Sequence, residues 1–286
     1  MTDIYNMAGP GSSPAAIANV LSIAGSDPSG GAGIQADLKT FSALGVYGMA
    51  VATALTAQNT RGVTGIHIVP PDFVAEQIRA VFADISVSAV KIGMIADAAI
   101  AGAVAEVLAR HVDVPVVLDP VMIAKGGASL LTDDAVTVLR TRLLPLATVV
   151  TPNLPEAAAL LGEPEARDRE EMAGQARRLV GLGAKAVLVK GGHLSGNDSP
   201  DVLASAAGLT WFEAPRVATR NTHGTGCTLS SAIAAELAKG ASPEEAVAVA
   251  KTYVAGAIDA ADALNVGSGH GPVHHFHALW KSEGAV

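Results

Sequence analysis

Short apolar segments alternate with helical segments along almost the whole chain, and this alternation limits the possible folds. The apolar segments lie at residues 17–24, 47–57, 88–92, 114–118, 147–150 and 185–189. The predicted helices include residues 32–44, 70–82, 97–110, 132–143, 169–182, 225–239 and 243–263. Such alternation predicts a mostly parallel central sheet with helices on both faces. We therefore expect a single α/β domain over residues 17–286, preceded by a disordered extension over residues 1–16.

The end of each predicted strand carries side chains suited to binding or catalysis. These side chains are Asp27, Gln58, Met94, Asp119, Asn153 with Glu156, and Lys190. Parallel strands present their carboxyl ends at one edge of a sheet, where ligands collect. One crevice at that edge is therefore expected to hold them all.

Composition narrows the classes of function. Half of the chain is hydrophobic but only 3% is aromatic, so the core must consist mainly of Ala, Val, Leu and Ile. The net charge of −8 argues against a nucleic-acid partner, and no apolar run approaches the length of a membrane span. A single cysteine excludes an internal disulfide and fits a reducing compartment. We expect a cytoplasmic protein that binds neither nucleic acid nor membrane.

A glycine loop, Gly224-Thr225-Gly226-Cys227, runs directly into a predicted helix. The first turn of a helix has unpaired N–H groups and a positive dipole end, and glycines let an anion approach them. The loop therefore predicts a phosphate or oxyanion site. Cys227 lies where a thiolate is favoured. The alternative is a tight turn in which Cys227 is a small buried hydrophobe.

A second glycine-rich segment, residues 31–36, fits the dinucleotide pattern G-x-G-x-x-G/A. That pattern also requires an acidic residue about 20 positions further on, at the end of the next strand. The sequence offers Gln58 and Asn59 there instead. A nicotinamide dehydrogenase is therefore disfavoured.

Several candidate residues have a structural interpretation beside the functional one. Asp37 is a solvated helix charge or a ligand for a substrate. The Gln58 amide forms hydrogen bonds within a turn, or it forms hydrogen bonds to a ring nitrogen and a neighbouring amino group of a ligand. Asn153 and Glu156 form a capping box, or they hold Mg²⁺, perhaps through water. Lys190 is a solvated strand end or neutralises a phosphate.

Histidines raise two further questions. His223 directly precedes the glycine loop and either orients it or has no role. Four of the eight histidines lie within residues 270–277, a cluster that invites a metal interpretation. Because no Cys or acidic partner lies nearby at a recognisable spacing, a structural C-terminal segment is the favoured interpretation.

Taken together, these segments resemble the hydroxymethylpyrimidine/phosphomethylpyrimidine kinases of the ribokinase-like superfamily. The matching segments cover residues 24–37, 56–62, 91–94, 118–122, 151–157, 189–193, 221–228 and 271–277. The resemblance implies ATP-dependent phosphorylation of 4-amino-5-hydroxymethyl-2-methylpyrimidine and then of its monophosphate, for thiamine biosynthesis. It also suggests a homodimer.

The resemblance assigns roles to individual residues. It implies that the pyrimidine binds among Gly25, Asp37, Gln58, Met94 and Val121. It implies that phosphate is bound by Lys190, Gly224, Thr225, Gly226 and Cys227. It also implies that Glu156 and Asn153 position Mg²⁺, through water. In many relatives an aspartate base stands at the position of Cys227. We expect the loop and the helix end to lower the pKa of Cys227, which would then accept the hydroxymethyl proton in the first transfer.

Two other functions remain open on the sequence alone. A pyridoxal or pyridoxine kinase of the same superfamily would also phosphorylate a hydroxymethyl group on a nitrogen heterocycle. A non-catalytic sensor would bind the pyrimidine without transferring phosphate. The presence of Lys190, Glu156 and Cys227 argues against the sensor.

Overall fold

The computed structural model describes residues 16–122, 132–196 and 198–280. The predicted extension over residues 1–16 lies outside these ranges except for Ala16. Within the described part of the chain, none of the helices combines the length and the apolar character needed to cross a membrane.

Eight strands form the central sheet, in the order β10-β9-β8-β7-β6-β5-β1-β2. They are β1 (Asn19–Ala24), β2 (Tyr47–Ala52), β5 (Ala89–Ile92), β6 (Val116–Leu118), β7 (Val149–Val150), β8 (Ala186–Lys190), β9 (Asp201–Ser205) and β10 (Gly208–Phe212). Neighbours from β2 to β8 pair in parallel, whereas β9 and β10 add an antiparallel hairpin at one edge. This confirms the predicted mostly parallel sheet.

Helices cover both faces of the sheet, as predicted. They are α1 (Gly33–Ala43), α2 (Pro71–Asp84), α3 (Ala98–Leu108), α4 (Asp133–Val138), α5 (Leu154–Leu161), α6 (Arg169–Val180), α7 (Thr225–Ala238) and α8 (Pro243–Asp259). One apolar core joins the sheet to α2 through α6, and the other joins it to α1, α7 and α8. Since β2 and β5 flank β1 on opposite sides, the chain changes direction beside β1. Open α/β sheets bind ligands at such a point.

The largest difference from the predicted elements is a separate two-stranded antiparallel sheet of β3 (Ala54–Asn59) and β4 (Gly62–Ile68). The sequence predicts one strand region over residues 47–57, but the chain leaves the main sheet at Thr53 and turns back as a hairpin. The hairpin stands over the carboxyl edge of the sheet, because Thr56, Gln58 and Val63 line the cavity described below.

Candidate active site

A cavity of about 470 Å³ lies at the carboxyl edge of the parallel strands. Its wall is built from the segments that follow β1, β5, β6, β7 and β8, together with the β3–β4 hairpin and the loop before α7. The predicted site residues in this wall are Gly25, Gln58, Met94, Val121, Asn153, Glu156, Lys190, Gly224, Thr225, Gly226 and Cys227. The structure therefore brings together all of the predicted site residues except Asp37.

The glycine loop lies close to the rest of the site, and at Gly224 a side chain is excluded. Gly224 is the N-cap of α7, with φ of 81°. A Cβ atom there would lie 1.8 Å from the carbonyl oxygen of Gly31. A Cβ atom on Gly226 would lie 3.6 Å from both Lys190 Nζ and Asp119 Oδ2. The first turn of α7 is therefore open on the side of Lys190 and Asp119. We call this turn, with the loop Gly224–Cys227, the anion cradle, because its N–H groups are placed to bind an anion.

Lys190, at the end of β8, joins two buried carboxylates. Its Nζ lies 3.1 Å from Asp119 Oδ1 and 3.9 Å from Glu156 Oε2. Burial acts to raise the pKa of Asp119, but the charges of Lys190 and Lys91 outweigh it and hold that pKa below its usual value. At Glu156 burial prevails over the opposing charge of Lys190 and raises the pKa to about 7. A further cation beside this cluster would stabilise both carboxylates.

Asn153 and Glu156 form the capping box of α5. The Glu156 N–H donates to Asn153 Oδ1 at 2.9 Å, and the Asn153 N–H donates to Glu156 Oε2 at 2.8 Å. The structure thus confirms the capping interpretation of this pair. Their role toward Mg²⁺ stays a prediction.

The donor set suits a magnesium ion that keeps most of its water and phosphate ligands. Asp119 and Glu156 provide carboxylate oxygens, the ligand type that Mg²⁺ prefers. In the described ranges, no group of three or more His, Cys, Asp or Glu side chains could hold a metal by itself. An ion bound mainly by the substrate phosphates is the arrangement that these residues fit.

The prediction of a lowered Cys227 pKa is wrong for the ligand-free protein. Burial raises the pKa of the Cys227 thiol to about 11, although the positive charge of Lys91 opposes the shift. The first turn of α7 favours a thiolate, but the surrounding protein disfavours a charge on this partly buried side chain and outweighs that effect. At neutral pH the side chain is therefore a thiol.

Asp37, for which a substrate contact stays a prediction, is buried and is not among the residues that line the cavity. Its carboxylate receives hydrogen bonds from Ser22 Oγ at 2.6 Å, from Ser231 Oγ at 2.7 Å and from Lys91 Nζ at 2.8 Å. Asp37 and Lys91 are both completely buried. Asp37 therefore joins α1, β1, β5 and α7 beneath the site, and it is Lys91 that reaches the cavity wall.

The other side of the cavity is shaped by Gly25 and Met94. A Cβ atom on Gly25 would lie 2.2 Å from Met94 Cε, so a side chain at position 25 would displace the end of this methionine. Val121 and the half-buried Gln58 belong to the same wall. A flat ring with one polar edge would find apolar contacts here and an amide to pair with.

The C-terminal histidine segment has a structural role, as the sequence favours. His270 N–H donates to the Thr60 carbonyl at 2.9 Å, which ties the segment to the turn of the β3–β4 hairpin. The His275 carbonyl accepts a hydrogen bond from Tyr253 Oη at 2.6 Å, and its ring lies 3.2 Å from Thr228 Oγ1. The segment therefore fastens the hairpin and the start of α7 to α8.

Asp27, Lys91 and His223 are site residues to which the sequence analysis assigns no definite role. His223 Nε2 lies 2.8 Å from Asp27 Oδ2, and both side chains are buried. The sequence could have indicated a role for Lys91, because it lies within the apolar strand Ala89–Ile92, where an unpaired charge would be costly. The signal for Asp27 and His223 is their position beside two glycine-rich loops, which the fold brings into contact at Gly31 and Gly224.

Known proteins resemble this chain over most of its length. A model of the phosphomethylpyrimidine kinase family matches residues 27–274. A hydroxymethylpyrimidine/phosphomethylpyrimidine kinase of Salmonella typhimurium is 57% identical over 262 residues, which are 92% of this chain and 98% of that protein.

Two solved structures place the fold beside known kinases. A Bacillus subtilis pyridoxal kinase in complex with ADP superposes with a TM-score of 0.86 at 36% identity, covering 93% of this chain and all of the other. A phosphomethylpyrimidine kinase of Clostridium difficile superposes with a TM-score of 0.74 at 44% identity, covering 83% and 97% of the two chains. With its ribokinase-like α/β fold, the chain belongs to the phosphomethylpyrimidine kinase family.

Proposed function

We propose that this protein transfers the γ-phosphoryl group of ATP to the hydroxymethyl group of 4-amino-5-hydroxymethyl-2-methylpyrimidine, and then phosphorylates the monophosphate to the diphosphate. The observation that carries this proposal is one cavity in which Gln58 and the anion cradle before α7 meet. The first suits an aminopyrimidine edge and the second suits phosphates. The product would serve thiamine biosynthesis in the cytoplasm.

The groups around the anion cradle are suited to the catalysis of phosphoryl transfer. Such catalysis is mainly positioning and stabilisation of charge on the moving group. The N–H groups of the first turn of α7 and the Lys190 ammonium would bind the phosphate oxygens, and Glu156 and Asp119 would hold the Mg²⁺ ion that accompanies the nucleotide. When bound, Mg·ATP supplies the phosphoryl group and a divalent charge. Gly25 and Met94 hold the ring so that its hydroxymethyl group faces the cradle.

The test is an ADP-release assay with Mg·ATP and the hydroxymethylpyrimidine, followed by the mass of the product. We expect both the monophosphate and the diphosphate. The second candidate is a pyridoxal kinase, which the superposition on the Bacillus subtilis enzyme supports. ADP release with pyridoxal but not with the pyrimidine would favour this candidate. Tight pyrimidine binding without any ADP release would contradict both kinases and indicate a sensor.

Cys227 is proposed to act in the first transfer only. There the acceptor is a hydroxyl that must lose a proton, whereas the acceptor of the second transfer is already a phosphate oxygen. With a thiol pKa of about 11, the thiolate fraction rises about tenfold for each pH unit through the neutral range. Glu156, with a pKa of about 7, should affect both transfers alike. Above about pH 8 the rate of the first transfer should therefore keep rising with pH, whereas the rate of the second should level off.

The variant Cys227→Ala should lose the pH-dependent part of the first transfer and slow that step by about 10²–10⁴-fold, the usual contribution of a positioned base. The second transfer should keep most of its rate. Single-turnover kinetics on the hydroxymethylpyrimidine and on its monophosphate measure the two steps separately. Equal losses in both steps would show that Cys227 does not serve as this base.

We further propose a homodimer formed through the β3–β4 hairpin. Leu55, Ile68 and Phe73, on or next to this hairpin, are each about half exposed to solvent. Exposed apolar side chains concentrated on one hairpin and the start of the next helix favour a protein partner. Leu55→Glu should shift the molar mass in light scattering from dimer to monomer, whereas Val112→Glu, at an exposed position between α3 and β6, should not. A monomeric unmodified protein would contradict the proposal.

A further inference from the structure

His223 connects three parts of the cavity wall through one ring nitrogen. Its Nε2 lies 2.8 Å from Asp27 Oδ2 and 3.4 Å from the side-chain nitrogen of Gln58. Asp27 belongs to the loop after β1, Gln58 to the β3–β4 hairpin, and His223 directly precedes the anion cradle at Gly224. The ring therefore lies where the pyrimidine-reading side of the cavity meets the phosphate side.

The hydrogen bonds around Asp27 indicate that His223 Nε2 carries a proton. Asp27 Oδ1 accepts from the Ser29 N–H at 2.9 Å and from the Ser29 hydroxyl at 2.6 Å, and Asp27 Oδ2 accepts from the Ala32 N–H at 2.9 Å. Although burial acts to raise the pKa of Asp27, the hydrogen bonds from His223 and Ser29 outweigh it and lower the pKa to about 2. Asp27 is thus a carboxylate that only accepts, and His223 Nε2–H donates to it.

This assignment restricts the Gln58 amide. A ring N–H cannot accept a hydrogen bond, so the amide nitrogen of Gln58 finds no acceptor at His223. On its other side, Gln58 Oε1 lies 3.3 Å from Thr56 Oγ1, but the single hydroxyl hydrogen of Thr56 is donated to the Ser26 carbonyl at 2.9 Å. A half-turn of the amide exchanges its oxygen and nitrogen. Only then does the oxygen face the His223 N–H while the nitrogen donates to Thr56.

We propose that Asp27 and His223 are positioning residues that fix the Gln58 amide with its oxygen toward His223 and its nitrogen toward Thr56, and so set the direction in which the substrate ring binds. The inference rests on the proposed pyrimidine kinase activity. The amide then offers an acceptor on the side of His223 and a donor on the side of Thr56. An aminopyrimidine matches this order when its amino group lies on the His223 side and its ring nitrogen on the Thr56 side.

The same order directs the reacting group. In the proposed substrate, the hydroxymethyl group is attached to the ring atom next to the one that bears the amino group. With the amino group on the His223 side, the hydroxymethyl group continues in that direction, toward the cradle that begins at Gly224. The 4-oxo analogue, 5-hydroxymethyl-2-methylpyrimidin-4-one, presents a ring N–H and a carbonyl in the reverse order. It can pair with the fixed amide only by turning over, which directs its hydroxymethyl group away from the cradle.

Two matched variants test the proposal. His223→Gln retains a donor N–H near the position of Nε2, whereas His223→Met has a similar shape and no polar atom. The measured quantity is the ratio of kcat/KM for the aminopyrimidine to kcat/KM for the 4-oxo analogue. We expect a ratio of about 10² or more in the unmodified protein, since the analogue cannot pair with the Gln58 amide while its hydroxymethyl group faces the cradle.

His223→Gln should keep this ratio within about threefold. His223→Met should lower it at least about tenfold, mainly through a higher KM for the aminopyrimidine, because the Gln58 amide is then free to turn. If His223 merely supported the loop, both substrates would lose activity alike and the ratio would stay the same in His223→Met. That result would overturn the proposal.

Nuclear magnetic resonance of the ligand-free protein tests the amide orientation without any turnover. With glutamine labelled by ¹⁵N, the side-chain NH₂ protons of Gln58 should show nuclear Overhauser effects to the Thr56 methyl group and only weak ones to the His223 ring. Strong effects to the ring would overturn the proposal. If the unmodified protein phosphorylated neither pyrimidine, the proposed activity would fail, and these spectra would still decide the orientation of Gln58.

Discussion

Replacing Lys190 with methionine should lower kcat by about 10²–10³-fold, the usual loss when one preorganised donor to a reacting group is removed. Methionine keeps most of the length of the side chain and removes only its charge. In the structure, the Lys190 ammonium lies 3.1 Å from Asp119 and 3.9 Å from Glu156, and its charge helps to offset these two buried carboxylates. Without it, those carboxylates repel the phosphates, and the charge that develops during transfer loses a partner.

We expect the loss to affect phosphoryl transfer and nucleotide binding, because Lys190 lies beside Gly226 in the proposed phosphate site. Calorimetric titration with the hydroxymethylpyrimidine alone should give a dissociation constant within about threefold of that of the unmodified protein. Lys185→Met is the matched control, since Lys185 is exposed just before the other end of β8. A kcat for Lys190→Met within threefold of the control would contradict the assigned role.

The layout of the sheet is predictable from sequence because buried parallel strands consist of continuous apolar runs. Strands such as β1 and β5 are buried along nearly their whole length, and the polar residues that end them are forced to the same edge. The β3–β4 hairpin was not predicted, because it lacks such a buried apolar run. The strand Gly62–Ile68 has no buried residue, so its sequence shows no alternation between a core face and a solvent face.

The misassigned site residues share one cause, which is that local sequence does not report burial. The position of Cys227 at the start of α7 correctly indicates a favourable dipole, but only the fold shows how much protein surrounds the partly buried thiol and raises its pKa. Asp37 has the appearance of a solvated charge on α1, and only the fold brings Lys91 to it from 54 residues further along the chain. Interactions between distant segments therefore decide the pKa of Cys227 and the role of Asp37.

The Lys91–Asp37 pair should be the most sensitive point for stability. Both side chains are completely buried, and Lys91 Nζ lies 2.8 and 2.9 Å from the two carboxylate oxygens. Although burial acts to lower the pKa of Lys91, the negative charge of Asp37 outweighs it and holds that pKa above its usual value. Lys91→Met removes one partner and leaves the other charge buried. Breaking a buried pair in this way costs about 3–5 kcal/mol.

Urea unfolding followed by circular dichroism should therefore show a free energy of unfolding lower by about 3–5 kcal/mol for Lys91→Met. The exposed control Lys185→Met should stay within about 0.5 kcal/mol of the unmodified protein. The double variant Lys91→Met/Asp37→Asn should recover part of the loss, since the remaining amide is neutral and Ser22 and Ser231 can still donate to its oxygen. A double variant as unstable as the sum of its single variants would show that the two charges do not stabilise each other.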